Sequence, residues 1–257
     1  MCEGGNIQFF CHNGFRLAFQ ESGQGDPVLL IHGFASSIFM NWIASDWFKI
    51  LVDAGYKVIA IDNRGHGHST KSYDPRAYTL ELMASDAIAL LRYLGIKKAH
   101  IMGYSMGAKI AAVMALHMPT MVHSAVFGGL GIGMLTEVGD RKVIAEALLA
   151  EDPITIINPL GLLFRKFADN TKSDRKALAA CIMVSKKELK IDEMHGIMQP
   201  VLVAVGEKDT IAGEAQPLAA LLEHGEVLVI PNRNHVLAVG DRIYKKGVLE
   251  FFRRYSM

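Results

Sequence analysis

Hydrophobic positions along the chain fall into short runs set between longer stretches of helical period, and the two kinds alternate. Apolar runs at residues 7–11 and 15–20 flank His12-Asn13-Gly14. Asn-Gly between two such runs is the strongest short hairpin signal, because both central turn residues need positive φ. After a turn at 23–27, residues 28–31 form an apolar run that stops at His32-Gly33. Residues 42–54 have a helical pattern closed by Gly55, and 57–61 read as a buried strand ending at Asp62. Residues 79–94 predict a helix stopping at Gly95, 100–102 a strand, 106–118 a helix broken before Pro119, and 122–127 a strand.

The alternation pauses between residues 128 and 199, where 143–149 and 174–183 look helical and Pro153 and Pro159 break the pattern. It resumes with a strand at 201–205, a helix at 215–224, a strand at 227–230 and a helix at 244–255. Short buried strands separated by helices predict βαβ units, hence an α/β fold: a mostly parallel, doubly wound sheet flanked by helices, with an N-terminal hairpin. The pause reads as a helical lid insertion at about 129–198 in one domain spanning residues 1–257. Right-handed crossovers place the carboxyl ends of the parallel strands along one edge, where such folds bind ligands.

Composition narrows the function classes. The 257 residues are 51% hydrophobic and 21% charged, with a formal net charge of +1, so there is no electrostatic footprint for nucleic acid. Apolar runs are all cut by charge, glycine or proline well short of the roughly 20 residues a membrane span needs; Arg92 interrupts the run at 87–94. The first residues carry neither a basic nor an apolar leader segment. Cys2, Cys11 and Cys181 are odd in number and show no C-x-x-C spacing, which predicts reduced thiols and a cytoplasmic setting. The expected partner is a small-molecule substrate, with no nucleic acid and no membrane span, and oligomeric state is left open.

The sharpest chemical feature is Gly103-Tyr104-Ser105-Met106-Gly107, between a predicted strand and a predicted helix. That context suits a G-x-S-x-G elbow, in which a strained turn pushes the serine hydroxyl out of the sheet edge. The Met106 N–H, at the helix start, points where an oxyanion would form. A serine needs a base, and position selects among ten histidines: His235 follows the strand at 227–230 at the same sheet edge. His66 and His68 lie at that edge too, but on the wrong side in chain order. The base needs an orienting carboxylate, and Asp209 follows the strand at 201–205, with Glu207 as a rival nearer the strand end. Each residue alone has a bland reading, as a turn, cap or loop residue. The order Ser105, Asp209, His235, each after a different strand, is the joint signal. The Phe34 N–H, after the strand at 28–31, is the candidate second oxyanion donor, and His32 beside it a loop brace. There is no H-E-x-x-H, no P-loop and no G-x-G-x-x-G after a strand, so no cofactor or metal is expected.

On these motifs, with Asp62-Asn63-Arg64-Gly65-His66-Gly67-His68-Ser69 and Asn234-His235, the chain resembles the α/β-hydrolase superfamily, in its serine-nucleophile esterase and lipase-like branch. The resemblance implies that the run from Asp62 fixes loops around the site without a catalytic role. Ser105 holds the place that an Asp nucleophile takes in related epoxide hydrolases and dehalogenases. The short His-Gly-x oxyanion loop argues against bulky tertiary-alcohol esters. Ala108 stands where many relatives have a further glycine. The expected activity is two-step acyl transfer on a small, largely apolar carboxylic ester. Relatives with the same triad cleave carbon–carbon bonds, lactones or thioesters, make peracids, or act as slow-turnover receptors. Met134, Leu135, Leu162, Phe164, Met183, Met194 and Met198 supply apolar side chains in the insertion, either to a pocket or to packing among its own helices.

Overall fold

A computed structural model describes residues 6–135, 139–184 and 189–257; Cys2 and parts of the predicted insertion lie outside them. Strands β1 (Gln8–His12) and β2 (Phe15–Ser22) pair antiparallel around Asn13 and Gly14, both at positive φ. Strand β3 (Pro27–Ile31), helix α1 (Trp47–Asp53), strand β4 (Lys57–Ile61) and helix α2 (Leu80–Tyr93) follow. Then come β5 (Ala99–Tyr104), α3 (Met106–His117) and β6 (Val122–Gly128). Among the described residues, α4 (Arg141–Leu149), α5 (Pro159–Asn170), α6 (Arg175–Met183) and α7 (Ile191–Met194) lie between β6 and the next strand. The chain closes with β7 (Val201–Gly206), α8 (Ala215–Ala219), β8 (Gly225–Ile230), α9 (His235–Ala238) and α10 (Arg242–Arg254).

The eight strands form one sheet in the order β1-β2-β4-β3-β5-β6-β7-β8, parallel from β4 onward. Period-two alternation divides the core between its faces. Leu29, Ile31, Ile59, Ile61, Ile101 and Phe127 face α2, α3 and α8, while Val28, Leu30, Val58, Ala60, Met102 and Val126 face α1 and α10. Helix α10 meets its face with Tyr244, Val248, Phe251 and Phe252, a stripe at helical spacing, all fully buried. Because β3 pairs with β4 on one side and β5 on the other, connections leave β3 and β5 in opposite directions. The crevice above that pair is the topological switch point where open α/β sheets bind ligands.

Three expected elements differ. Residues 42–54 are not one helix: a π-turn at Phe39–Ile43 precedes α1, and Asp46 between them sits at φ 63°. Both indoles of this segment, Trp42 and Trp47, are fully buried, and Trp47 Nε1 donates to the Val239 carbonyl at 2.7 Å. Tertiary anchoring here overrides helical continuity. Helix α5 runs where Pro159 is expected to break the pattern. Pro159 instead opens the helix, where its missing N–H costs nothing, and Asn158 Oδ1 caps the Leu160 and Gly161 N–H groups. Helix α8 ends at Ala219 rather than reaching 224. The helices between β6 and β7 have a small core of their own, with Ile144, Leu148, Leu178 and Ile182 at its centre and Ala35 of the sheet side joining it.

The run from Asp62 is a brace. Asp62 accepts the Ile38 and His68 N–H groups, Arg64 grips the Asp86 carboxylate through Nε and Nη2 at 2.6 and 2.7 Å, and the Ala18 N–H donates to the Ser69 hydroxyl. One buried histidine sets an acid limit on the fold. His100, on β5, bonds Ser124 Oγ through Nδ1 at 2.7 Å, while its Nε2 is buried without a partner against Phe252. Burial, helped by neighbouring His123, lowers its pKa to about 4. The group is therefore neutral when folded, and the unfolded chain binds the extra proton first as pH falls. Its contribution is complete above about pH 6.5 and is lost between there and about pH 4, amounting to about 3 kcal/mol. Urea unfolding at pH 7, 5 and 4 is expected to show this loss in the wild type and a shallower pH slope in His100→Gln. Parallel slopes in the two proteins would reject the assignment.

Candidate active site

Strand β5 ends on Tyr104, and the chain reverses into α3 through Ser105 at φ 54°. The flanking glycines are sterically obligatory. A Cβ on Gly103 would lie 2.1 Å from the Gly107 carbonyl oxygen, and one on Gly107 would lie 2.0 Å from that of Ile31. The Ser105 N–H is held by the Gly128 carbonyl at 2.8 Å, and Ala108, fully buried, still permits the close approach of α3 to the sheet.

Above this turn the structure brings three predicted residues together. His235 Nε2 lies 3.1 Å from Ser105 Oγ, and His235 Nδ1 lies 2.7 Å from Asp209 Oδ2. Asp209 also plays its bland part: Oδ1 accepts the Ile211 and Ala212 N–H groups at 2.9 and 3.0 Å. The two oxygens divide these contacts, one meeting the imidazole and the other the backbone. The rival Glu207 turns away and accepts the Asn232 N–H at 2.7 Å. His235 is not in a loop, as expected, but opens α9, whose N-cap Asn234 accepts the Leu237 N–H. Two further contacts hold it: the Tyr104 hydroxyl donates to the His235 carbonyl at 2.6 Å, and the Tyr104 ring lies 5.6 Å from the imidazole. Burial raises the Tyr104 pKa well above that of a free phenol, so it remains a donor. Nothing in the pentad signalled this role, since its second position takes any residue.

Phe34 and Met106 face the same space, and no hydrogen bond to a described residue occupies either N–H. His32 is fully buried beside them, bonded to the Gly33 carbonyl through Nδ1 and to the Asn63 N–H through Nε2. Burial lowers its pKa against the opposing pull of Asp62, so it stays a neutral brace. His66 bonds the Arg64 carbonyl within the brace, and His68 is exposed beside Asp62. Among the described residues no cluster of three or more His, Cys, Asp or Glu is arranged to hold a metal.

A cavity of about 240 Å³ opens on Ser105 and His235. Its wall includes Met40 and Val236 from the sheet side and Leu163, Phe164, Phe167 and Ile182 from the helices between β6 and β7. Of the seven apolar insertion residues singled out in the sequence, Phe164 lines this cavity. Met134 and Met194 are buried in the sheet core, and Met183 and Met198 face solvent.

The profile of the alpha/beta hydrolase fold matches residues 26–147. The non-heme chloroperoxidase CPO-A1 of Kitasatospora aureofaciens is 37% identical over 278 aligned residues, covering 94% of this chain and 98% of that protein. The chain belongs to the α/β-hydrolase family. It is also 35% identical over 111 residues to bifunctional epoxide hydrolase 2 of Sus scrofa, a match covering 43% of this hydrolase but 20% of that longer protein. A thermophilic esterase from Thermogutta terrifontis has the same fold, with TM-score 0.75, 24% identity and full coverage of both chains. No helix among the described residues of this hydrolase is long and apolar enough to cross a membrane.

Proposed function

We propose that this hydrolase cleaves a small, largely apolar carboxylic ester by a serine acyl-enzyme mechanism. The observation that carries the reading is the continuous line from Ser105 Oγ through the His235 ring to Asp209 Oδ2, at 3.1 and 2.7 Å, opening on an apolar cavity. His235 Nε2 takes the hydroxyl proton as Oγ attacks the acyl carbon, and Asp209 holds the ring so that its Nε2 lone pair faces Ser105. The Phe34 and Met106 N–H groups receive the tetrahedral oxyanion, and the α3 dipole favours negative charge there. The imidazolium returns its proton to the leaving alcohol, and water then splits the acyl-enzyme by the same route. The helices between β6 and β7 act as the lid, and their cavity-facing side chains select the acyl or alcohol group.

The relative named as a non-heme chloroperoxidase, similar over nearly its whole length, favours one second reading. Hydrogen peroxide in place of water at the acyl-enzyme gives a peracid from the same machinery. A chain-length series of 4-nitrophenyl esters, run with and without peroxide, tests both. Turnover that peaks at short or medium acyl chains is the expected result, and peracid formation separates the second reading from the first. Failure to hydrolyse any ester in the series would reject the proposal.

A further inference from the structure

The cavity wall beside Ser105 carries two polar side chains that the acyl-transfer machinery leaves unused. Ser36 and Asn41 are 5% and 6% exposed, and both line the cavity. Asn41 Oδ1 accepts the Gly33 N–H at 3.0 Å. Only an acceptor can meet an N–H, so this contact fixes the amide's orientation: oxygen on Gly33, Nδ2 and its two protons on the other side. Neither Asn41 Nδ2 nor the Ser36 hydroxyl bonds any described residue, and neither atom is sealed from solvent. Both atoms belong to residues of the cavity lining.

Asn41 sits inside the π-turn at Phe39–Ile43. The Ala44 N–H reaches back five residues to the Phe39 carbonyl at 2.8 Å, a π-turn, and such turns concentrate at functional sites. Ala35, between the oxyanion loop and Ser36, takes φ 54° with a full side chain, a further sign of a loop held against local preference. With no protein partner, these donors are met by water or by a ligand, and the Phe34, Phe164 and Phe167 rings of the same lining provide no acceptor.

We propose that Ser36 and Asn41 form a neutral polar subsite for a second oxygen of the substrate. The preferred ester then carries an ether, keto or hydroxyl oxygen on its acyl group, within two or three bonds of the scissile carbonyl. The acyl side follows from the chemistry of the site: the leaving oxygen must face His235 to be protonated, which turns the acyl group toward the remaining wall. The oxygen is uncharged because an amide and a hydroxyl bring no countercharge, and the cations of the same lining, Lys109 and Arg141, each already have a partner. The inference rests on the ester-hydrolase reading of the same site.

The test compares 4-nitrophenyl butyrate with 4-nitrophenyl methoxyacetate, which differ by one CH₂-to-oxygen replacement. The ratio of kcat/KM values, divided by the ratio of hydroxide-catalysed rates, removes intrinsic reactivity. It is expected to favour methoxyacetate about 10-fold in the wild type, the scale of one hydrogen bond met rather than missed. Asn41→Asp keeps an oxygen on the Gly33 N–H and removes the Nδ2 donors, so the corrected preference is expected to fall to about one or below. Ser36→Ala is expected to lower it part of the way, and serves alone if Asn41→Asp fails to fold. A corrected wild-type ratio near one, or a preference that both variants keep, would mean that the two side chains are merely hydrated and would overturn the subsite. No turnover of either ester overturns the ester reading itself, and the subsite with it.

Discussion

Ser105→Ala is expected to lower kcat/KM for every accepted ester by about 10⁶ and to abolish labelling by a fluorophosphonate. The magnitude follows from how such groups act together: with the nucleophile gone, the base has nothing to activate, and removing one member costs about as much as removing all. A residual acceleration of about 10³–10⁴ over water is still expected, because the proposed oxyanion donors, the Phe34 and Met106 N–H groups, remain in place for direct attack of water. The fold should be unaffected. Ser105 is only partly buried, and its backbone contacts to Gly128 and Ala108 do not involve the hydroxyl. A melting temperature within about 2 °C of wild type would show that the lost rate is chemical. Labelling that survives the substitution would sink the nucleophile assignment, whatever the rates.

Position, more than residue type, made the site legible in the sequence. Ser105, Asp209 and His235 follow β5, β7 and β8, and a parallel sheet delivers all three ends to one edge. The strands were legible because their side chains alternate between two covered faces, and the glycines at 103 and 107 because backbone passes within van der Waals distance of each. Features that depend on long-range packing were not legible. The π-turn at 39–43 exists because two indoles must be buried beside it, and no local pattern encodes that. Asn41 carries no local signal, because a lone Asn in a helical stretch has no signature; its meaning comes from Gly33, eight residues earlier. Tyr104 was visible only as the variable position of a motif, although its hydroxyl supports the backbone of the proposed base. The cavity wall is divided for a related reason: of the apolar residues that could serve a pocket or packing, Phe164 lines the cavity beside Leu163, Phe167 and Ile182, while Met134 and Met194 fill the sheet core.

Asp209→Asn is expected to lower kcat by about 10⁴ with KM nearly unchanged, and its value lies in separating the residue's two jobs. In the wild type, Oδ2 meets His235 Nδ1 and Oδ1 meets the Ile211 and Ala212 N–H groups. The amide keeps an oxygen for the backbone pair, so the loop cap survives. Its NH₂ then faces Nδ1, which must become an acceptor, and the ring proton moves to Nε2. That nitrogen lies 3.1 Å from Ser105 Oγ and now presents a proton where a lone pair is needed, which accounts for the loss at unchanged geometry. Asp209→Ala removes both contacts and should lose similar activity, together with about 1 kcal/mol of stability from the abandoned N–H groups. Urea midpoints therefore divide the two variants while their rates do not. If Asp209→Asn stays within 10-fold of wild type, Asp209 is a loop cap alone. Glu207 does not rescue the role, since its carboxylate is committed to the Asn232 N–H. The imidazole would then have to hold its tautomer through its own solvation, and the acyl-transfer reading would need a different source for the missing factor.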